Sequence, residues 1–276
     1  MTTTSTSTST SRLPTYFISH GGGPWPWMKK EMGAVYDLLA ASLADMPRQV
    51  GRTPRAVLMV SAHWEAPAFT VMANPRPPMV YDYGGFPAHT YQVRYDAPGA
   101  PDLALRVKAL IEAAGLPAHS DAERGFDHGA FSPMAAIYPA ADVPMVQLSL
   151  RRGLDPAEHL ALGRAIAPLR DEDVLIIGSG LSYHNLRAFG PQAREPSKAF
   201  DDWLDRTVVG AAGSARDARL LDWASAPAAH IAHPREEHLI PLMVAVGAAS
   251  EEAGERVYHE DAFMGGLAVS SFRFGG

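Results

Sequence analysis

The sequence predicts a single α/β domain built on a mostly parallel central sheet that is flanked by helices. Two features predict this fold: short apolar runs rich in β-branched residues recur along the chain, and amphipathic helical segments lie between them. The length of 276 residues suits one domain of this class. Residues 1–12, which are rich in Ser and Thr, are predicted to form a disordered tail, and residues 13–276 the folded domain.

Four apolar runs are predicted to be the buried strands of the sheet. Their continuous apolar character, without alternation of apolar and polar residues, indicates burial on both faces, as in a largely parallel sheet. A later segment, Gly266–Phe274, alternates loosely and is predicted to be an edge strand. The four buried strands are Tyr16–Ile18, Ala56–Val60, Met145–Leu150 and Val174–Ile177.

Five segments with helical spacing of apolar residues are predicted to flank the sheet. Pro101 suits a first helical turn and Gly115 a helix end, while Asp155 is a good N-cap in front of Pro156. The stretch Pro75–Gly99 is rich in Pro, Gly and Tyr and has no helical period, so it is predicted to be a long functional loop. The five helices are Lys30–Asp45, Pro101–Ala114, Asp155–Leu169, Ser197–Val209 and Glu236–Val246.

The composition argues against several classes of protein. With a net charge of −6 and no run of more than two Lys or Arg residues, neither nucleic acid nor an anionic membrane is expected as a partner. The most apolar stretch, Leu239–Ala249, is far shorter than the ~20 residues of a membrane span, so a soluble, cytoplasmic protein is expected. The chain has no cysteine, so any metal must be held by nitrogen and oxygen. Whether the chain forms homo-oligomers is left open.

The histidines provide the main functional signal. His20 follows the first predicted strand, His63 ends the second and His184 lies just past the fourth. Because ligands of open α/β sheets bind outside the carboxyl ends of the strands, three imidazoles at that edge are expected to converge. One such histidine alone is more often a hydrogen-bonded rim residue, but three together favour a functional site. His128 lies in a Gly-flanked loop, and the segment 233–238 brings two more histidines to a helix start. The others are expected at the surface: His89, His119, His159, His230 and His259.

Two familiar motifs are matched only in part by this sequence. The segment His20-Gly21-Gly22-Gly23 matches an oxyanion-hole motif of lipases, but no G-x-S-x-G nucleophile elbow accompanies it. The glycines around Ser179 do not form a dinucleotide-binding fingerprint, because Tyr183 stands where the third glycine should be. The commonest hydrolase and nucleotide-binding functions are therefore not indicated.

Seven short motifs in the same order resemble the class III extradiol ring-cleavage dioxygenases, and most closely their 4,5-DOPA dioxygenase branch. Each motif is weak alone, but together they cover nearly the whole chain from Leu13 onward as one catalytic domain. They are Ser19-His20-Gly21, Ser61-Ala62-His63-Trp64, Asp82-Tyr83-Gly84-Gly85-Phe86-Pro87, Phe126-Asp127-His128-Gly129, Pro144-Met145-Val146-Gln147-Leu148-Ser149, Gly178-Ser179-Gly180 through His184-Asn185-Leu186, and Glu237-His238 before Leu239-Ile240-Pro241-Leu242.

The resemblance implies a metal site and a reaction. His20, His63 and His238 would hold the metal, with Fe(II) favoured and zinc as the alternative ion, and Glu237 competes with His238 as the third ligand. His184 would be the acid/base catalyst, close enough that it could also touch the metal. His128 would line the pocket as a second catalytic group. The substrates would be a small aromatic diol and O₂.

Two other functions stay open on the sequence alone. Three histidines and a water also make a hydrolytic zinc site, so a zinc-dependent hydrolase on the same scaffold is one alternative. A non-catalytic relative that only binds metal is the other. The tryptophans Trp25 and Trp27, which follow the glycine run, could either form an aromatic wall for a bulky substrate or simply pack the loop.

Overall fold

The computed structural model describes residues 12–276, and within that range eight strands form one sheet. The strand order is β4-β3-β5-β2-β6-β1-β8-β7. The single sheet, flanked by helices, confirms the predicted α/β fold. The strands are β1 (Thr15–Ser19), β2 (Ala56–Ala66), β3 (Phe69–Met72), β4 (Ala118–Asp121), β5 (Met145–Arg151), β6 (Val174–Gly180), β7 (Gly254–Phe263) and β8 (Leu267–Phe274).

The centre of the sheet is parallel, as predicted. The four strands β5, β2, β6 and β1 pair side by side in one direction, so their carboxyl ends lie at the same edge. Their side chains are almost entirely buried on both faces, which explains their continuous apolar sequence. Antiparallel pairing begins only outside this centre, where β3 pairs with β5 on one side and β8 with β1 on the other.

The nine helices of the described region cover the sheet. α9 packs on β1 and β6 and against α5, while α4 packs on β2 and β6 and against α2. They are α1 (Lys29–Met32), α2 (Asp37–Val50), α3 (Pro101–Ala113), α4 (His128–Ile137), α5 (Pro156–Ile166), α6 (Arg194–Val208), α7 (Gly213–Leu221), α8 (Ala229–Ala232) and α9 (Ile240–Ala249).

All five predicted helices occur, with changed ends. The first divides into α1 and α2 at Gly33, whose positive φ ends α1. The last begins at Ile240 instead of Glu236, with a proline in its first turn. Asp155 is the N-cap of α5, and its side chain accepts hydrogen bonds from the backbone N–H groups of Ala157 and Glu158.

The strand predicted at Gly266–Phe274 occurs as β8, but its predicted position at the edge of the sheet was wrong. The strand β8 lies between β1 and β7, and β7 is the edge. β7 was missed because most of its side chains are partly or fully exposed, so it has no apolar run. The short strands β3 and β4 and the helix α4 were also missed, and His128 is the first residue of α4 rather than part of a loop.

Close contact between α5 and α9 depends on two glycines. A Cβ on Gly163 would lie 2.3 Å from the carbonyl oxygen of Val244 and 2.8 Å from the Cα of Gly247. No side chain fits between the helices here, so their backbones meet directly. This contact holds α9 on the parallel strands, next to the segment that carries His238.

Residues 12–14 and most of the long loop lie outside regular secondary structure. The predicted tail, residues 1–12, lies outside the described residues except for Arg12, whose guanidinium donates to the carbonyl of Ala167. In the stretch Pro75–Gly99 the only helical turn is a 3₁₀ turn at Ala88–Gln92, in line with the predicted loop. In residues 12–276 no helix combines the length and the apolar character that a membrane crossing requires.

Candidate metal centre and active site

Three histidines from distant parts of the chain lie at the carboxyl edge of the parallel strands. His20 directly follows β1, and its backbone N–H donates to the carbonyl of Gly180 at the end of β6. His63 lies inside β2, which continues to Ala66 beyond the predicted end. The pairing of β2 with β5 shifts register between residues 60 and 65, so His63 sits in a local irregularity of the ladder. His238 lies just before α9.

The approach of His238 to β6 requires a glycine. The carbonyl oxygen of His238 accepts a hydrogen bond from the backbone N–H of Leu181, and a Cβ on Gly180 would lie 2.1 Å from that oxygen. Any side chain at position 180 would therefore push the His238 segment away from the strand. The Gly178-Ser179-Gly180 segment thus has a packing role next to the site.

The Nε2 atoms of the three histidines meet. Nε2 of His63 lies 3.3 Å from Nε2 of His20 and 3.2 Å from Nε2 of His238. An ion bonded to imidazole nitrogens at about 2.0–2.1 Å would place neighbouring nitrogens about 3.0–3.4 Å apart. The spacing therefore fits one small divalent ion among the three rings.

The outer nitrogen of each ring has an oxygen partner. Nδ1 of His20 lies 2.6 Å from the carbonyl oxygen of Gly21, Nδ1 of His63 lies 3.3 Å from Asp82 Oδ2, and Nδ1 of His238 lies 2.9 Å from Glu237 Oε1. Because these oxygens only accept, each Nδ1 is assigned the proton and each Nε2 keeps its lone pair. Three lone pairs then face one another, an unfavourable arrangement that a cation relieves.

The same rings are poor proton binders. Burial, followed by the neighbouring histidines, lowers the pKa of His63 to about 3 and lowers the pKa values of His20 and His238 well below the usual range. All three are therefore neutral near pH 7, and neutral imidazole is the form that binds a metal. The burial, charge and orientation of the rings all fit a metal centre.

His184 and Glu237 lie on one side of this centre. The ring of His184 stacks on the ring of His238, with centroids 3.4 Å apart and planes 18° apart. Glu237 Oε1 lies 3.0 Å from Nδ1 of His184 and 2.9 Å from Nδ1 of His238, so one oxygen serves both rings. Glu237 therefore faces the outer edge of His238, and His238 presents Nε2 to the cluster.

Two separate groups of potential ligands can be formed from these side chains. His20, His63 and His128 form one, and His184, Glu237 and His238 form the other, with the ligand atoms of each group within 4.8 Å of one another. The short distances from His63 Nε2 to the Nε2 atoms of His20 and His238, 3.3 Å and 3.2 Å, join members of both groups. That shorter spacing is the better match to one ion.

Asp82, from the long loop, ties His128 to His63. Its Oδ1 accepts from Nδ1 of His128 at 2.8 Å and from the backbone N–H of His128 at 3.0 Å, while Oδ2 faces His63. Burial alone would raise the pKa of Asp82, but the hydrogen bonds and charge of these histidines lower it below the ordinary value. Asp82 was not predicted as a site residue, although it belongs to one of the seven motifs.

A buried cluster of polar side chains hydrogen-bonds to the backbone of His63. The Asp127 carboxylate accepts from Ser61 Oγ at 2.7 Å and from Arg124 at 2.9 Å, and it also contacts the side-chain amide of Gln147. Ser61 Oγ in turn accepts from the backbone N–H of His63 at 3.2 Å. Burial raises the pKa of Asp127 despite these donors. Ser61, Asp127 and Gln147, which belong to three of the sequence motifs, therefore form a hydrogen-bonded chain that ends at the backbone of His63.

A cavity of about 660 Å³ opens beside the histidines. His20, His63, His128, His184 and His238 all line it. Neither Trp25 nor Trp27 does. Trp25 stacks on Tyr36 and donates from Nε1 to the carbonyl of His20, and Trp27 packs edge-on against Phe131. Both tryptophans therefore pack the loop after β1 and do not form an aromatic wall for the substrate.

The remaining histidines lie outside this cavity wall. His89, His119 and His230 are exposed as expected, and His259 is half-buried. The prediction for His159 was wrong, since its side chain is fully buried. Its Nδ1 lies 2.7 Å from the carbonyl of Asp155 and its Nε2 accepts from the N–H of Arg151, so both nitrogens are satisfied inside the protein. His233 is also buried and contacts the carbonyl of Ser182.

Comparison with known proteins agrees with the fold and the site. The family described as the catalytic LigB subunit of aromatic ring-opening dioxygenase matches residues 14–274. The chain is 37% identical to the 4,5-DOPA dioxygenase extradiol of Beta vulgaris over 264 residues, which covers 94% of this chain and 96% of the relative. It is 33% identical to the protein of the same name from Escherichia coli K12, with 97% and 96% covered.

Two further matches extend this result. The dioxygenase tasH of Hapsidospora irregularis is 36% identical, with 95% of this chain and 86% of the relative covered. The crystal structure of the uncharacterized protein JW3007 from Escherichia coli K12 superposes with a TM-score of 0.76 at 28% identity, covering 96% of this chain and all of that one.

The fold and the histidine site together define a non-haem, metal-dependent aromatic ring-opening dioxygenase. The chain belongs to the LigB family of these enzymes, in the branch that contains the 4,5-DOPA extradiol dioxygenases. The family resemblance inferred from the seven motifs is thereby confirmed. The substrates are accordingly an aromatic compound and O₂.

Proposed function

We propose that this enzyme cleaves a catechol-type ring beside its two hydroxyl groups, at an Fe(II) ion held by His20, His63 and His238. The observation that carries the proposal is the approach of His20 Nε2 and His238 Nε2 to His63 Nε2, at 3.3 Å and 3.2 Å, beside a cavity of about 660 Å³. An aromatic diol fits a cavity of this size. Several relatives are named 4,5-DOPA dioxygenase extradiol, which supports a dihydroxyphenyl substrate for this chain.

Iron suits both the ligands and the reaction. Imidazole nitrogen binds Fe, Zn, Cu and Ni, and the chain has no cysteine to favour a thiolate site. Bound Fe(II) would supply coordination of the diol and O₂ and the electron transfer between them. Both oxygen atoms of O₂ enter the ring-opened product, so no external reductant is needed. Zinc fits the same nitrogens but has no redox chemistry.

His184 is placed to move the substrate proton. Its Nδ1 is held by Glu237 at 3.0 Å, which leaves Nε2 as the basic nitrogen on a ring that lines the cavity. We assign His184 as the base that accepts a proton from a catechol hydroxyl and as the acid that returns a proton later in the reaction. The Glu237 contact fixes the ring orientation throughout.

Glu237 remains ionised in this role. Burial raises its pKa, but the hydrogen bond from His184, a backbone hydrogen bond and the charge of Arg235 lower the pKa below the ordinary value. An ionised Glu237 stabilises His184 when that ring carries the extra proton. The carboxylate thus acts through His184 and His238 rather than on the substrate.

His128 is proposed to contact the substrate from the opposite side. Its ring centroid lies 3.9 Å from that of His63, and Asp82 holds its Nδ1, so Nε2 is free to hydrogen-bond a substrate oxygen. A donor or acceptor fixed in this way orients the aromatic ring relative to the metal ligands. Asp82 would then couple the position of His128 to that of His63.

Family membership favours this function over the two alternatives. A zinc hydrolase would need the same three histidines, and a binding protein would need only the cavity, but the matched family consists of ring-opening dioxygenases. The metal itself is part of the proposal, because the three nitrogens accept either ion.

Anaerobic loading with Fe(II), followed by oxygen-electrode measurements with a panel of catechols, tests the proposal. Oxygen uptake matched by the absorbance of a yellow ring-opened product is expected, with no uptake for the zinc-loaded or metal-free enzyme. The variant His119→Ala, which changes an exposed histidine of β4, is the matched control and should behave like the unmodified enzyme. Hydrolytic activity with zinc and no oxygen uptake with iron would contradict the proposal.

A further inference from the structure

The cavity wall beyond the histidines is mainly apolar and aromatic. It is formed by residues from distant parts of the chain, and one of them, Leu186, is 72% exposed. An exposed leucine beside a binding cavity favours contact with an apolar group. The apolar part of the wall includes Met32, Phe86, Leu186, Phe189, Phe263 and Met264.

Apart from the histidines, the polar side chains of the wall are engaged in contacts within the protein. The Tyr36 hydroxyl accepts from the backbone N–H of Gly22 at 3.2 Å, and the Tyr83 hydroxyl donates to the carbonyl of Thr90 at 2.6 Å. The carboxylates of Asp82 and Glu237 face the histidines described above. These tyrosines therefore present mainly ring surface to a ligand.

Arg235 is the only Lys or Arg on this wall within residues 12–276, and its charge is engaged. Its Nη1 and Nη2 donate to the two carboxylate oxygens of Glu65, each at 2.6 Å. A second carboxylate, Glu237, lies 3.6 Å from Nη1. A substrate carboxylate would have to displace Glu65 from this paired, planar contact, close to the carboxylate of Glu237.

We infer that the enzyme selects catechols whose ring substituent is uncharged and apolar. The inference rests on the proposed function and specifies its substrate class. An anionic substituent meets a guanidinium that Glu65 already pairs, and a cationic substituent meets carboxylates that already contact Arg235 or the histidines. Oε2 of Glu237, which has no hydrogen-bond partner within residues 12–276, is buried and lies 3.6 Å from Nη1 of Arg235. A charge moved into the cavity without a partner costs more than an apolar group of similar size.

Three catechols of similar size test this selection. They carry a propyl, a propanoate or an ethylammonium chain, each para to one hydroxyl group. With the Fe(II)-loaded enzyme, kcat/KM from oxygen uptake is expected to be at least about tenfold higher for the propyl compound than for either charged one. A preference for a charged compound, or equal values, would overturn the inference.

A variant that is expected to accept the anionic compound better provides a sharper test. In Glu65→Gln the guanidinium of Arg235 loses its ionic partner, so the ratio of kcat/KM for the propanoate compound to that for the propyl compound should rise about tenfold. The double variant Glu65→Gln/Arg235→Gln should return the ratio to the unmodified level. An unchanged ratio in Glu65→Gln would contradict the role of the Glu65–Arg235 pair.

Anaerobic calorimetry separates this inference from the proposed function. Binding of the three catechols to the Fe(II)-loaded enzyme is measured without oxygen, so it does not depend on ring cleavage. Preferred binding of the propyl compound without oxygen uptake would support the inference and contradict the proposed reaction. Oxygen uptake without preferred binding or turnover of the propyl compound would contradict the inference alone.

Discussion

The ring of His184 lies against the ring of His238, with centroids 3.4 Å apart, and both rings share one oxygen of Glu237. In the proposed enzyme one of these rings holds the metal and the other moves protons. The shared carboxylate holds the two rings at a fixed distance from each other. Separate variants of the two histidines should therefore have different consequences.

Replacing His184 should remove catalysis but not metal. In His184→Ala the three converging Nε2 atoms remain, while the proton-moving group is lost, so kcat should fall about 10²–10⁴-fold. Metal analysis of the Fe(II)-loaded protein and oxygen uptake under saturating catechol measure the two effects. A near-normal rate would show that another group moves the proton, and loss of the metal would show that His184 is a ligand.

Replacing His63 should remove the metal itself. His63 is the central ring, since its Nε2 lies within 3.3 Å of both other Nε2 atoms, and His63→Ala leaves only two of the proposed ligands. Equilibrium dialysis against Fe(II) or zinc should then show no stoichiometric binding, whereas the exposed control His119→Ala binds one ion. One bound ion in His63→Ala would contradict the assigned ligands.

Replacing Asp82 should weaken the metal site without abolishing it. Asp82→Asn loses the ionised acceptor that holds Nδ1 of His63 and Nδ1 of His128, and loss of such a partner typically weakens metal affinity by about 10–100-fold. Competition with a chelator measures the affinity. An affinity equal to that of the unmodified protein would mean that Asp82 does not orient the ligand.

The central strands and the histidines at their ends could be predicted because their signals are local. Each of the four parallel strands is an apolar run, and His20 and His63 lie at or near the ends of such runs. β7 could not be found in this way, because as an edge strand it carries mostly partly or fully exposed side chains.

The contacts that complete the site are not local. Asp82, from the long loop, contacts His63 and His128 only in the folded chain, and no spacing in the sequence encodes that approach. The Glu65–Arg235 pair joins residues 170 positions apart. His159 was misassigned because a histidine on a helix counts as polar in a periodicity analysis, although two backbone groups satisfy it when buried.

His159 should make the protein less stable in acid. Burial lowers its pKa to about 4, below the ordinary 6.5, so between about pH 6.5 and pH 4 the unfolded chain binds a proton that the folded chain does not. The neutral, buried ring of His159 therefore makes its full contribution to the free energy of unfolding above about pH 6.5. As the pH falls toward 4 the protein loses up to about 3 kcal/mol of that free energy. Urea unfolding of the unmodified protein and of His159→Gln measures this.

Comparing the unmodified protein with His159→Gln separates the effect of His159 titration from the effects of other buried groups. From about pH 7.5 to about pH 4.5 the free energy of unfolding should fall by roughly 2–3 kcal/mol more in the unmodified protein than in His159→Gln. Equal losses in both proteins would mean that His159 does not titrate as a buried neutral ring.

The close contact between α5 and α9 should not tolerate a methyl group. In Gly163→Ala the new Cβ would lie 2.3 Å from the carbonyl oxygen of Val244, and forcing the helices apart typically costs about 1–3 kcal/mol. Thermal or urea unfolding measures the loss. Gly84→Ala is the control, since a Cβ added there would have no neighbouring atom of residues 12–276 within 4 Å and its φ is not positive. Equal stability of the two variants would contradict this packing role.

The most direct test of the metal centre is anomalous diffraction at the iron absorption edge from crystals of the Fe(II)-loaded enzyme. The proposed ligands predict one peak at about 2.0–2.3 Å from the Nε2 atoms of His20, His63 and His238. A peak bound instead by His184 and Glu237, or the absence of a peak among the three Nε2 atoms, would contradict it.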